Sequence, residues 1–251
     1  MIEAQVQSTA NGAIVYDRSL GVVPDERWFD RAHWPAGGGS PNAGRGTAAF
    51  VDTPAGACVL RHYRRGGFVA RLSADCYLWT GAARTRAFRE FELLARLVDA
   101  GLPAPRPVAA RYVRDGIGYR ADLLTRRIAD AQTLAERLAA GALSPRLAHD
   151  TGRTIAAFHE AQVWHADLNA HNVLVDGEGT VWLIDFDRGR LRKPARSWRL
   201  ANLARLRRSF DKLGARGEPQ FDARFWQPLL AAYDAAMSRS RPVSGSRGVL
   251  S

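Results

Sequence analysis

Within eight consecutive residues the chain brings together His165, Asp167, Asn169, His171 and Asn172, and the run continues directly into Val173-Leu174-Val175. Thirteen positions beyond Asn172 stands Asp185, inside Leu183-Ile184-Asp185-Phe186-Asp187. An acid, an amide five residues on, a short hairpin and a second acid suit phosphoryl transfer. That reaction asks the protein for positioning and charge neutralisation more than for covalent chemistry. One carboxylate must accept or orient the proton of an attacking hydroxyl, which fits Asp167. A second carboxylate and an amide oxygen can hold Mg2+, a hard ion that prefers oxygen ligands, which fits Asp185 and Asn172. A lone His-x-Asp would be read as a satisfied polar turn, but here spacing, hairpin and a preceding helix agree.

The elements around these residues change period along the chain. Residues 1–35 carry scattered aromatics (Tyr16, Trp28, Phe29, Trp34) without a long periodic stretch, and a run of small residues over 35–47 follows. Ala48–Asp52 and Ala57–Tyr63 read as strands joined by Thr53-Pro54-Ala55-Gly56. Over 84–99, Phe88, Phe91, Leu94 and Leu97 recur at helical spacing, with Gly101 just beyond. Pro107–Val113 and Tyr119–Leu124 read as two more strands. From Ala129 the pattern turns mainly helical, over Ala131–Ala140, Pro145–Gln162, Ser197–Leu213 and Phe221–Met237. A strand pair, Val173–Val175 and Val181–Ile184, interrupts it at the turn Asp176-Gly177-Glu178-Gly179.

The 251 residues carry 36 basic and 25 acidic side chains, a formal charge of +11, with 46% apolar residues, enough for a sizeable core and against wholesale disorder. Lys193 and Lys212 are the only lysines, so a cation needed before position 193 must be arginine. Two cysteines, Cys58 and Cys76, are too few for a disulfide scaffold and point to a reducing compartment. Neither a secretory signal nor an 18-residue apolar span is visible, so a soluble or peripheral protein on the cytoplasmic side is expected. The arginine excess implies anionic partners: phosphates, nucleic acid or an anionic membrane face.

The catalytic stretch resembles the H-x-D-L-x-x-x-N loop and D-F-G element of the protein-kinase-like superfamily. The resemblance implies an α+β, bilobal kinase-like fold, with a small antiparallel-sheet N-lobe holding one long helix and a mainly helical C-lobe. The implied organisation is an extension over 1–40 that caps the small lobe, an N-lobe over 41–127, a C-lobe over 128–237 and a flexible tail over 238–251. It casts Asp167 as the catalytic base, Asn172 and Asp185 as metal ligands, and His165 as a structural support of the loop. Gly44, Gly46 and Thr47 would set backbone N–H groups against ATP phosphates, since glycine lacks a Cβ. Arg61 occupies the strand position of the phosphate-bridging lysine, a departure from the superfamily pattern. Glu90 would be its helical partner, with Glu92 the runner-up. Leu123-Leu124-Thr125-Arg126-Arg127 would link the lobes and offer backbone groups to adenine.

Other departures narrow the family. Asn169 stands where protein kinases commonly have lysine, and Asp187 replaces the D-F-G glycine. Only about ten residues, Arg188 to Ser197, precede the next helix, too few for a peptide-docking activation segment. Gly44-Arg45-Gly46-Thr47, Val59-Leu60-Arg61-His62-Tyr63 with Arg65-Gly66-Gly67, Thr85 to Phe91 and Trp182 to Gly189 then look like the 3-deoxy-D-manno-octulosonic acid (Kdo) kinase family. In that family the strand residue is arginine too. The resemblance implies ATP-dependent phosphorylation, with Mg2+, of the 4-hydroxyl of the Kdo sugar on a lipid A precursor. It places this step of lipopolysaccharide core assembly at the cytoplasmic face of the bacterial inner membrane.

The charge agrees with such an acceptor. Arg188, Arg190 and Arg192 follow the second acid and are assigned to the acceptor's phosphates or carboxylate, and an anionic membrane surface is a further expected partner. Leu203, Leu206, Phe210 and Leu213 form an apolar stripe read as core, beside Arg205, Arg207 and Arg208. The principal alternative is a kinase acting on a core heptose or another small molecule. A cationic aminoglycoside acceptor conflicts with the basic surface. A non-catalytic module is disfavoured because all three acid and amide positions are present, and nucleic acid binding is not expected because the aromatics lack the spacing of a stacking platform.

Overall fold

The computed structural model describes residues 1–34, 48–63, 76–218 and 220–239. Gly44, Gly46, Thr47, the segment Arg65-Gly66-Gly67 and most of the 238–251 tail lie outside the described residues. The chain divides into two compact units: Met1–Ala131 with Trp182–Arg190, and Gln132–Val181 with Leu191–Ser251.

The first unit holds β1 (Ala4–Thr9), β2 (Gly12–Asp17), β3 (Ala48–Thr53), β4 (Gly56–His62), β5 (Tyr77–Leu78), helix α1 (Arg86–Asp99), β6 (Pro107–Asp115) and β7 (Gly118–Arg126). These seven strands form one sheet in the order β1-β2-β6-β7-β4-β3, with β5 paired to β7. The paired strands are antiparallel throughout. Alternation along the strands gives the sheet two apolar faces. Ile14, Tyr16, Val51, Cys58, Leu60 and Leu124 pack on one face with Trp28 and Phe29. On the other side α1 lies against β6 and β7, burying Ala87, Phe88, Phe91, Leu94 and Leu97 at helical spacing. The first backbone donor of α1 is satisfied from outside the helix: Arg86 N–H donates to the Tyr119 hydroxyl at 3.1 Å.

Three findings differ from the sequence reading. Residues 4–17 form a hairpin that extends the sheet beside β6. The expected interlobe linker, 123–127, is largely the end of β7: Arg126 pairs with Cys58. The backbone donors of Arg126 and Arg127 are committed to Arg106 and Ala57. Residues 182–190, expected with the helical part, belong to the first unit, where Leu183 N–H donates to the Pro103 carbonyl at 3.0 Å.

The second unit contains β8 (Gln132–Thr133), α2 (Leu134–Ala139), α3 (Pro145–Glu160), β9 (Val163–Trp164) and β10 (Val173–Val175). The chain recrosses between the units within β11 (Val181–Leu183) and again at β12 (Arg190–Leu191). Helices α4 (Arg196–Lys212) and α5 (Gln227–Arg239) complete the second unit. A capping box starts α2: Thr133 Oγ1 accepts from Glu136 N–H at 3.0 Å while Glu136 accepts from Thr133 N–H at 2.8 Å. Ser144 caps α3 ahead of Pro145. Gly152 lets α3 pack closely on α5, because a Cβ there would collide with the backbone of Leu229 and Tyr233. The last helix is preceded by a π-helical turn, Asp222–Trp226, within the stretch read as one helix. The stripe on α4 is core at Leu203, Leu206 and Phe210, whereas Leu213 is exposed.

Candidate active site

Two clusters hold the residues singled out by the sequence, one in each unit. In the first, Arg61 and Tyr63 share a face because side chains two apart on a strand point the same way. Arg61 forks: Nη2 pairs with Glu90 and Nη1 with Asp185. Arg61 Nη2 also donates to Tyr63 Oη at 3.1 Å, and that hydroxyl donates to Glu90 at 2.5 Å. Glu90 is only 4% exposed, while Glu92 is exposed, so Glu90 is the helical partner of Arg61. Burial would lower the Arg61 pKa, but the facing Glu90, Tyr63 and Asp185 hold it well above the ordinary value. Burial pushes the Glu90 carboxyl up, against the pull of Arg61. Burial and the neighbouring Glu90 charge likewise push the Tyr63 phenol well above its usual range, so it remains a donor. Arginine reaches both acids at once through its planar fork, which a lysine point charge does not offer.

Asp185 has left-handed backbone geometry, φ 61°, and so does Arg188, φ 60°. Between them Phe186 is buried and Asp187 meets Arg86 from the first turn of α1.

The second cluster is the loop His165–Asn172. Asp167 N–H donates to His165 Nδ1 at 3.1 Å, and the Asn172 amide donates to the Asp167 carbonyl at 2.9 Å. Asn169, which departs from the kinase lysine, has a structural task here. Its Oδ1 accepts from His171 N–H at 2.8 Å and Asn172 N–H at 3.2 Å, closing the loop on itself. Three residues of α4 then clamp it from one helical stripe, at i, i+3 and i+7. Asn202 Nδ2 donates to the His165 carbonyl at 2.8 Å, and its Oδ1 accepts from His165 N–H at 3.4 Å. Arg205 Nη1 lies 3.2 Å from Asp167 Oδ1. Ser209 Oγ accepts from Ala170 N–H at 2.9 Å. His165 itself is 2% exposed.

Behind the loop, His159 Nδ1 is 2.8 Å from the Tyr233 hydroxyl and Nε2 is 3.4 Å from Asn202 Oδ1. Asn202 Oδ1 can only accept, so the neutral tautomer carries its proton on Nε2 and takes the tyrosine proton at Nδ1. Burial lowers the His159 pKa to about 4.

Among the described residues no three His, Cys, Asp or Glu side chains gather as a metal-ligand group. The donors on offer are oxygens. The Asp185 carboxylate is 40% exposed, and the Asn172 amide, its nitrogen spent on Asp167, leaves its oxygen for a cation. That chemistry fits a hard ion such as Mg2+. Arg188 and Arg190 are exposed residues of the first unit. In the second, the guanidinium of Arg192 stacks 5.0 Å from the Trp164 ring centroid.

The model of the lipopolysaccharide kinase (Kdo/WaaP) family matches residues 27–233. The chain belongs to this family. Among its relatives is the 3-deoxy-D-manno-octulosonic acid kinase of Xanthomonas campestris pv. campestris (strain B100), 51% identical over 236 residues, 91% of this chain and 92% of that protein. The protein of the same name from Stenotrophomonas maltophilia (strain K279a) is 48% identical over 235 residues, with the same coverage of each chain. A structure of the bifunctional kinase-methyltransferase WbdD aligns with a TM-score of 0.44 at 18% identity, over 86% of this chain and 48% of that one.

In this Kdo/WaaP-family kinase, several residues at the two clusters are given no site role by the sequence alone. Tyr63 completes the Arg61–Glu90 pair, Arg86 holds Asp187, and Asn202, Arg205 and Ser209 secure the loop. One signal existed for the last group. Asn202 adjoins the apolar stripe of Leu203 and Leu206, and an asparagine buried there has to find partners inside the protein.

Proposed function

We propose that this kinase transfers the γ-phosphoryl group of ATP to the 4-hydroxyl of the Kdo sugar of a lipid A precursor, in lipopolysaccharide core assembly. The observation that carries the reading is the 51% identity, over nearly the whole chain, to a protein named as a Kdo kinase. The alternative, a heptose of the same core, has no observation of its own in its favour.

Asp167 orients the acceptor hydroxyl and takes its proton late in the transfer. Arg205 beside it orients the carboxylate. Arg61 offsets charge on the nucleotide phosphates, with Glu90 and Tyr63 holding its guanidinium in place. Asp185 and Asn172 would hold Mg2+, which when bound neutralises phosphate charge. Gly44, Gly46 and Thr47 contribute backbone N–H groups to the phosphates. Arg188, Arg190 and Arg192 receive the phosphates or carboxylate of the anionic acceptor.

Such an acceptor lies in an anionic leaflet, and the excess of arginine favours peripheral attachment at the cytoplasmic face of the inner membrane. Among the described residues no helix is long and apolar enough to cross a membrane. The test is incubation of the purified protein with ATP, Mg2+ and Kdo-bearing lipid A precursor, followed by mass spectrometry of the product. A gain of one phosphoryl group on Kdo supports the proposal. A gain on heptose alone, with heptose-bearing acceptor supplied, selects the alternative.

A further inference from the structure

Helix α1 presents Arg86, Glu90 and Leu93 at i, i+4 and i+7, a single stripe along its surface, and each meets the segment Asp185–Gly189. Glu90 reaches Asp185 through Arg61. Arg86 takes Asp187 as a two-pronged pair, with Nε 2.8 Å from Oδ1 and Nη2 closing on Oδ2. Leu93 lies against Gly189, where a Cβ would stand 3.1 Å from Leu93 Cδ2 and 2.8 Å from the Phe186 carbonyl oxygen. The Arg86 fork is itself held. Its Nη1 donates to Tyr77 Oη at 2.7 Å, and its guanidinium lies 4.8 Å and 5.5 Å from the Tyr77 and Tyr63 ring centroids.

The segment being held is strained. Asp185 and Arg188 both sit in the left-handed region, which is unfavourable for a residue with a Cβ. Backbone of this kind persists when its surroundings over-determine it. Asp187 also removes the freedom a glycine would have at that position and supplies the tether in its place. We infer that Arg86 and Asp187 form a clasp that fixes the Asp185–Gly189 turn against α1, and thereby aims the Asp185 carboxylate for Mg-nucleotide binding. The clasp is formed in this structure by residues of the first unit alone. Arg86 and Asp187 are positioning residues; they act through Asp185.

This inference rests on the proposed role of Asp185 as a metal ligand, and the test separates the two. Nucleotide affinity is measured with and without Mg2+ for the wild type and for Arg86→Lys, Arg86→Ala, Asp187→Asn, Arg86→Ala/Asp187→Asn and Asp185→Asn. Hydrogen exchange of the Gly189 amide, which donates to the Phe186 carbonyl at 2.7 Å, is followed in metal-free protein. The clasp predicts that Arg86→Ala and Asp187→Asn each lose roughly tenfold of the Mg2+-dependent gain in affinity while their Mg2+-free affinity is unchanged. The double variant should be no worse than the singles, as for two residues acting as one unit. Gly189 exchange should quicken, and Arg86→Lys, which keeps the charge without the fork, should fall between wild type and Arg86→Ala. If Asp185→Asn abolishes the Mg2+-dependent gain but folded Arg86 and Asp187 variants keep it, the clasp is wrong. If Asp185→Asn itself keeps the gain, the metal-ligand assignment fails and takes the clasp's purpose with it. A variant too unstable to study leaves Asp187→Asn, a nearly isosteric change, to decide.

Discussion

Arg205 on α4 and Asp167 in the His165–Asn172 loop form an ion pair of 3.2 Å, joining two residues 38 positions apart. Both are about half exposed, so the pair contributes little to stability, within about 1 kcal/mol. Its value lies in orienting the carboxylate. Arg205→Ala should therefore lower kcat roughly 10- to 100-fold with little change in melting temperature and in ATP affinity, and Arg205→Lys should recover part of the loss. Steady-state kinetics beside thermal melts would check this; a large fall in melting temperature with normal kcat would make the residue structural.

Asn202, three residues earlier, should behave in the opposite way. It is 2% exposed, and its amide satisfies both the N–H and the carbonyl of His165. Asn202→Ala would remove both of these hydrogen bonds and cost about 2–3 kcal/mol. Urea unfolding should show that loss, and activity should fall with it as the loop loosens.

Arg190 and Arg192, proposed to receive the acceptor, are expected to act on binding. Charge reversal at Arg190 and Arg192 should raise acceptor KM roughly fivefold per residue, leaving ATP KM close to normal. An unchanged acceptor KM would remove these residues from the acceptor site.

His159 makes stability depend on pH. Its pKa is lowered to about 4 in the folded chain, against about 6.5 when unfolded. The unfolded chain therefore binds the extra proton first. Its contribution is complete above pH 6.5 and is lost as pH falls towards 4, by about 3 kcal/mol in all. Unfolding free energies from pH 7 to 4 should show this slope in the wild type and much less of it in His159→Gln.

Much of the fold could be read from the sequence because its elements have one buried face. The period of Phe88, Phe91, Leu94 and Leu97 marks α1, while the choice between Glu90 and Glu92 comes from the fold, which buries Glu90 and exposes Glu92. The hairpin over residues 4–17 gave no such signal. Edge strand β1 has no buried side chain, and Ala13–Tyr16 of β2 is buried on both faces, so neither strand alternates. At the site, Asp167, Asn172 and Asp185 stood out because a local spacing carries their chemistry. Arg86, Tyr63, Asn202 and Arg205 did not, because each finds its partner only after the chain has folded.

The phosphotransfer chemistry turns most directly on Asp167. Phosphorylation of Kdo-bearing lipid A precursor by Asp167→Asn should be down roughly 10³-fold, with Mg-ATP affinity within about twofold of wild type and an unchanged melting temperature. Near-normal turnover in this folded, ATP-binding variant would contradict the assignment of Asp167 as the group that takes the acceptor's proton.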